Sequence, residues 1–329
     1  MPGPQHLQST AKTHRLEHRP TLDLGPAICA DDEASRRHEW LLTNGRGGYA
    51  CGSVAGVLDR RYHAMLAAAV VPPDTRSVIV AKLDERLPGF EVRTEGIGDR
   101  DPASRDLPLS SDVWRDGGLV GHGHRHLIRC RANDGVVEHQ WLCDRTRLSR
   151  RIVMPHGHDT TVAEYRVEST DRPIVLAVKV IGGNRLADLL ASGATWAANT
   201  LEQDQSMLRL RLPKTPHGGS EIDVAVRIAG GTLAPGGDWY RGYRLETETR
   251  RGYDDLDDHL LLAEVTAELA EGDSLRIEMS AGPDADFDCR ARDPFEEETV
   301  RLRGLRDRAR IAIDAEPPPV HETLVAAAD

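Results

Sequence analysis

The feature that most constrains this chain is a long succession of short apolar runs, each stopped by turn residues. "HRHLIRCRA" precedes Asn133-Asp134-Gly135, and "VVEHQWLCDRTRLSRRIVMP" follows it. "TTVAEYRVES" precedes Thr170-Asp171-Arg172-Pro173, and "IVLAVKVIGG" follows. In the latter run Ile174, Leu176 and Val178 alternate with Val175, Ala177 and Lys179, a period of two that places them on opposite faces of a strand. "SMLRLRLP", "EIDVAVRIAGG" and "AEVTAELAEGDSLRIEMSAG" continue the pattern, the last with a tight turn at Glu271-Gly272-Asp273. Asp-Gly between alternating runs is a hairpin signal. So many strands at hairpin spacing predict an all-β fold, a large antiparallel β-sandwich of about sixteen or more strands. A chain of 329 residues is ample for its core.

The glycine-rich stretch "TNGRGGYACG" tests the main rival fold. Gly45-Arg46-Gly47-Gly48-Tyr49-Ala50 fits the dinucleotide-binding G-x-G-x-x-G/A pattern. That loop must open a helix, yet Cys51-Gly52-Ser53-Val54-Ala55-Gly56-Val57 is a poor helix former. A β-turn whose glycines supply positive φ fits better, so no nicotinamide cofactor, and no cofactor at all, is expected.

The chain divides into three parts. Residues 1–35 read as a polar, disordered tail without the apolar region of a secretory signal. Residues 36–292 hold the sandwich. At Asp293 the signals change: an aspartate N-cap, Pro294 in the first turn and Glu296, Glu297 and Glu298 behind it predict a linker helix. After Glu316-Pro317-Pro318-Pro319, "VHETLVAAAD" reads as the start of another helix with nothing to pack on, within a part spanning 293–329.

Composition excludes several function classes. The net charge of −11 argues against a nucleic-acid binder or an anionic membrane surface. No apolar run reaches the roughly 18 residues of a membrane span. Five dispersed cysteines without C-x-x-C suit reduced thiols and a cytoplasmic location. His122, His124 and His126 would share one face on a strand, but Gly121 and Gly123 suggest a loop and no partner ligands stand at metal spacing, so no metal site is assigned. "DDLDDHL" lacks the order of a calcium loop; it reads as a solvated loop, or as one that binds sugar hydroxyls or arginine. No spacing reveals a catalytic carboxylate pair, and no catalytic residue is assigned.

"DRRYH", Asp59 to His63, gathers hydrogen-bond donors and a stacking ring as a carbohydrate site does; a salt-bridged strand start is the other reading. Together with "EWLLTNGRGGYACGSVAGVLDRRYHAMLAAAV", it closely resembles the opening signature of the N-terminal domain of bacterial and archaeal glycogen debranching enzymes. "VAKLDE" and "WYRGYRLETETRRGYDDLDDHL" resemble later motifs of that family, and "LVAAAD" the first helix of its barrel. Asp257-Asp258-His259-Leu260 departs from the family's usual Glu-Asp-Leu. The resemblance implies a β-sandwich that positions an α-glucan substrate and packs on an (α/α)6 barrel. The barrel carries the carboxylates that hydrolyse α-1,6-glucosidic branch points and is expected to be missing from this chain. A free-standing glycan-binding module and the relic of an interrupted gene are the alternatives. The residues expected to contact sugar are Asn44, Arg60, Arg61, Tyr62 and His63.

Overall fold

The structure is a computed structural model and describes residues 22–71, 75–90 and 106–313. Two antiparallel sheets of nine strands each face one another, with a two-stranded ribbon beside them. The first sheet runs in the order Leu22–Leu24, Leu127–Asn133, Val136–Cys143, Thr146–Val153, Thr160–Ser169, Ser274–Ala281, Ile222–Ala229, Met207–Leu212, Asn199–Gln203. The second runs Thr232–Pro235, Leu256–Leu269, Ile174–Leu186, Thr75–Leu87, Ala64–Val71, Tyr49–Ser53, Glu39–Thr43. Trp239–Arg244 also pairs with Leu256–Leu269, and Leu107–Pro108 with Thr75–Leu87. This is the large antiparallel sandwich that the alternating runs predict.

Asn133-Asp134-Gly135 makes the expected hairpin, with Asp134 and Gly135 at φ 48° and 76°. The turns at 170–173 and 271–273 do something else. Each joins strands of different sheets, so the chain arches across the core instead of folding back on its neighbour.

Between the sheets lie Leu66, Ile79, Leu148, Ile152, Leu176, Val226 and Ile277, all buried. One polar cluster crosses this core. Glu85 of the second sheet accepts from Tyr165 at 2.9 Å and is paired with Arg150, both from the first sheet. Arg150 also lies over the Trp141 ring at 5.3 Å, so its charge is both neutralised and packed. The "VAKLDE" run thus ends on a buried ion pair that fixes the two sheets in register.

The second sheet is covered on its outer face as well. Ala64, Ala67, Val78 and Ala81 meet Leu58, Tyr243 and Leu245, which explains why "AMLAAAVV" is apolar without alternation. The small alanines let the covering segments approach closely.

The ends of the sandwich differ from the sequence expectation. Leu22–Leu24 pairs with the Cys130–Ala132 strand, and helices Pro26–Cys29 and Asp32–Arg37 follow, so ordered structure starts inside the stretch read as a tail. At the other end Asp293 accepts from the Phe295 and Glu296 amides at 3.1 and 3.2 Å and caps helix Pro294–Ile313, as expected. That helix lies back on the sandwich: Phe295 is buried against Val153 and Val162, and Arg303 bonds Asp134 at 2.9 Å. The expected helix beyond Pro319 falls outside the described residues. No helix among the described residues is long and apolar enough to cross a membrane.

Candidate functional site

The glycine-rich turn is a fastener between the sheets. Glu39–Thr43 and Tyr49–Ser53 pair through it, with Gly45 and Gly47 at φ 72° and 96°. Asn44 sits beneath the turn with no exposed surface. Its carbonyl oxygen accepts from the Arg46 and Gly48 amides at 2.9 and 3.0 Å. Its amide donates to the His158 carbonyl at 2.9 Å and to Asp159 Oδ1 at 2.7 Å, both beside the first sheet. A Cβ on Gly48 would sit 2.4 Å from Asp159 Oδ1 and 2.5 Å from Asn44 Nδ2, so only glycine permits this approach. Arg46 completes the tie by bonding Asp284 at 2.9 Å. Burial raises the Asp159 carboxyl above its usual range, against the hydrogen bonds from Ala69 and Asn44.

The second motif, Asp59 to His63, forms a turn whose residues face in different directions. Asp59 is buried and grips Arg36 at 2.7 and 3.0 Å. His63 is buried too; its Nδ1 accepts from the Asp59 amide at 3.2 Å, leaving Nε2 toward Glu39 at 3.5 Å. Arg60 pairs with Glu39, and the Tyr62 hydroxyl donates to it at 3.3 Å. Burial opposes ionisation of Glu39, but the hydrogen bonds from His63 and Arg60 outweigh it and bring its pKa down to about 2. Burial and the Glu39 charge push the Tyr62 hydroxyl up to about 12.

Arg61 turns outward. Its guanidinium donates to the Asp188 and Asp254 carbonyls at 3.2 and 2.9 Å and lies over the Tyr253 ring at 5.3 Å. Its backbone carbonyl accepts from Arg185 at 2.8 Å.

These residues border a cleft of about 910 Å³ on the outer face of the second sheet, where the covering segments stop. Leu41, Tyr49 and Cys51 form its floor. Tyr62 and Glu39 stand on one side; Arg61, Glu248, Arg251 and Tyr253 stand on another. Leu41 is 64% exposed and Tyr253 55%, so apolar surface is open to a ligand. Charges in the lining balance: Glu39, Asp188 and Glu248 against Arg61, Arg76 and Arg251. Burial pushes the Cys51 thiol up to about 12, which leaves it without nucleophilic character at neutral pH. Glu39, held ionised, accepts hydrogen bonds but has no proton to give. The arrangement is chemically suited to binding.

Of the five residues expected to touch sugar, Arg61 and Tyr62 line the cleft and Arg60 braces its rim through Glu39. Asn44 and His63 face inward and act as clamps; this corrects the expectation for both. The cleft also takes in Glu39, Leu41, Tyr49, Glu248 and Tyr253, which the sequence alone does not single out. Each lies in a stretch quoted for the resemblance, but nothing in the local pattern says which faces a cleft.

One further expectation changes. "DDLDDHL" is not a solvated loop: Asp257, Asp258 and His259 are buried at the start of the 14-residue strand Leu256–Leu269. Asp257 accepts from Arg185 Nε at 2.9 Å, within its reading as an arginine binder, and from the Ala191 amide at 2.7 Å. Burial opposes its ionisation, but Arg185 and His259 hold it well below the usual carboxylate range. The histidines of "HGHRH" lie off any strand, as Gly121 and Gly123 suggest: His122 precedes the 3-10 turn Gly123–His126, which holds His124 and His126. Among the described residues no group of three or more metal-ligating side chains gathers.

In sequence the chain matches no curated protein significantly. Among solved structures it is similar to a bacterial glucoamylase complexed with acarbose, at 11% identity and a TM-score of 0.38. That match covers 81% of this chain but only 38% of the glucoamylase. A family GH92 inverting mannosidase from Bacteroides thetaiotaomicron shares 10% identity at a TM-score of 0.36, over 71% of this chain and 29% of the mannosidase. The Slr1438 protein from Synechocystis sp. PCC 6803 shares 15% identity at a TM-score of 0.30, over 80% of this chain and 96% of that protein. These scores are too low to carry an argument. The profile of the family described as glycogen debranching enzyme N terminal, by contrast, matches residues 38–276, and this span holds both motifs and every residue of the cleft. The chain belongs to the glycogen debranching enzyme N-terminal family.

Proposed function

We propose that this chain is the substrate-positioning sandwich of an α-1,6-glucosidase acting on branch points of glycogen or a related α-glucan. The observation that carries this reading is the cleft itself. It sets exposed apolar side chains, Leu41 and Tyr253, among arginines and carboxylates already fixed by one another. A glucose unit has apolar C–H faces and a hydroxyl-rich edge, and such a surface meets both. The balanced lining charge favours a neutral ligand over an anionic one. Arg60, Arg61 and Tyr62 are the sugar-side residues of this proposal.

Hydrolysis is assigned to an (α/α)6 catalytic domain or subunit on which this sandwich packs, as the family resemblance implies; Glu39, held ionised, is a hydrogen-bond acceptor in this proposal and not the proton donor of glycosidic cleavage. Purified chain is expected to release no glucose from a branched dextrin; release would overturn that assignment. Electrophoresis through a gel containing glycogen tests the binding role. Retardation of the wild type, weakened by Tyr62→Ala, is expected, and an unretarded wild type would refute it. The cytoplasm is the proposed location; five free, buried cysteines support it.

A further inference from the structure

An open sheet ends in edge strands, and an edge with free amides and carbonyls is a template for another strand. Three of the four strands that end the two large sheets are blunted. Leu22–Leu24 is three residues long. Asn199–Gln203 carries an irregularity in its pairing between Thr200 and Glu202. Thr232–Pro235 ends on a proline, which has no amide to donate. Glu39–Thr43 has none of these devices. It pairs with Tyr49–Ser53 in unbroken register and ends the second sheet.

The register shows which of its backbone groups are free. The His38 carbonyl accepts from the Val54 amide at 2.9 Å, and the Asn44 amide donates to the Gly48 carbonyl at 3.2 Å. Even-numbered residues therefore bond inward, to Tyr49–Ser53. The amides and carbonyls of Glu39, Leu41 and Thr43 point to the open edge, and among the described residues nothing bonds them. The same three side chains are exposed, Leu41 to 64%, while Trp40 and Leu42 are buried.

This strand is self-complementary about Leu41. Against a second copy related by a two-fold axis through that residue, Leu41 faces Leu41, Glu39 faces Thr43 and Trp40 faces Leu42. Glu39, Leu41 and Thr43 then form the hydrogen-bonded pairs of an antiparallel ladder, each pair exchanging both bonds. No charge faces its like. The two Glu39 residues stand about 14 Å apart along the strands, and each is already paired with Arg60 of its own chain. An apolar leucine pair holds the centre.

We propose that Glu39–Thr43 is a dimerisation edge, which joins the second sheets of two copies into one continuous antiparallel sheet. The large cleft has Leu41 in its floor, so Leu41 of the partner subunit extends that floor and the two clefts open side by side. The dimer does not depend on what the clefts bind. A five-residue pairing is a small contact, so its affinity is micromolar.

Sedimentation velocity of the chain tests the edge. At about 100 μM it is expected to run at twice the 36.2 kDa of one chain, and at about 1 μM as the monomer. Leu41→Lys and Leu41→Glu each set like charges face to face at the axis and should raise the dissociation constant at least about tenfold. An equimolar mixture of the two should restore the dimer, because only a contact centred on position 41 pairs the new charges. Hydrogen exchange of the wild type needs no variant, and segment 39–43 should exchange more slowly at the higher concentration. A wild type that stays monomeric at about 100 μM overturns the proposal. So does a dimer that both variants leave intact, a mixture of the folded variants that stays monomeric, or equal exchange in 39–43 at the two concentrations.

Discussion

Replacing Asn44 by alanine separates a clamp from a sugar contact. The side chain makes four hydrogen bonds at 2.7 to 3.0 Å and has no exposed surface. Alanine removes the donor to Asp159, a carboxylate that is itself buried, and the acceptor for the buried Gly48 amide. Each buried polar group left without its partner costs about 1–3 kcal/mol, so the loss of these two should cost roughly 2–6 kcal/mol. That is a large part of the ~5–15 kcal/mol by which domains are stable. At about 2–4 °C per kcal/mol for a domain of this class, the melting temperature should fall by at least about 4 °C. Differential scanning fluorimetry at neutral pH reads this directly. Gly48→Ala should act in the same direction, because its Cβ collides with Asp159, Asn44 and the Ala67 carbonyl. A melting temperature within about 1 °C of wild type for Asn44→Ala would refute the clamp, as would a selective loss of glucan binding without loss of stability.

Three further outcomes follow from the same geometry. His139 is buried between Trp40 and Trp141, and burial together with the Arg150 charge holds its pKa well below the usual histidine value. The unfolded chain therefore takes up a proton below about pH 6.5 that the folded chain refuses; melting temperature should fall as pH drops through that value and stay flat above it, and His139→Phe should remove this part of the slope. Arg185→Ala takes from buried Asp257 its guanidinium partner, leaving only the Ala191 amide and His259 beside it, and should cost about 3–5 kcal/mol in urea unfolding, whereas loss of under 1 kcal/mol would show the pair to be dispensable. Tyr62→Ala should weaken maltoheptaose binding about tenfold with little change in melting temperature; a matching loss of stability would mean that the ring serves the fold.

What the sequence made legible was local, and what it hid was long-range. Alternation in the 174–183 run and the Asp134-Gly135 turn depend on neighbours along the chain, and both stand as read. The turns at 170–173 and 271–273 carry the same residue types as hairpins, yet they cross between sheets. Nothing local distinguishes an arch from a hairpin, because the difference lies in which distant strand pairs next. Asp257 and Asp258 looked solvated because their partners, Arg185, Ala191 and Gly193, lie more than 60 positions upstream. The same holds for the site. "TNGRGG" was readable as a turn, but its work of binding Asn44 to Asp159 depends on a loop more than 100 positions away. Arg61 and Tyr62, which line the cleft, stand out in the sequence because they sit side by side in a polar motif. Leu41 and Tyr49 were missed because an apolar strand residue carries no mark of which face remains open.

The central claim is that glucan occupies the cleft over Leu41 and Tyr49. Hydrogen–deuterium exchange of the full chain, with and without a saturating branched dextrin, tests it most directly. The account predicts slowed exchange in peptides covering 39–41, 61–62 and 248–253, with the first-sheet strand 207–212 unchanged. Protection confined to other surfaces, or none at a dextrin concentration that saturates the protein, would contradict it.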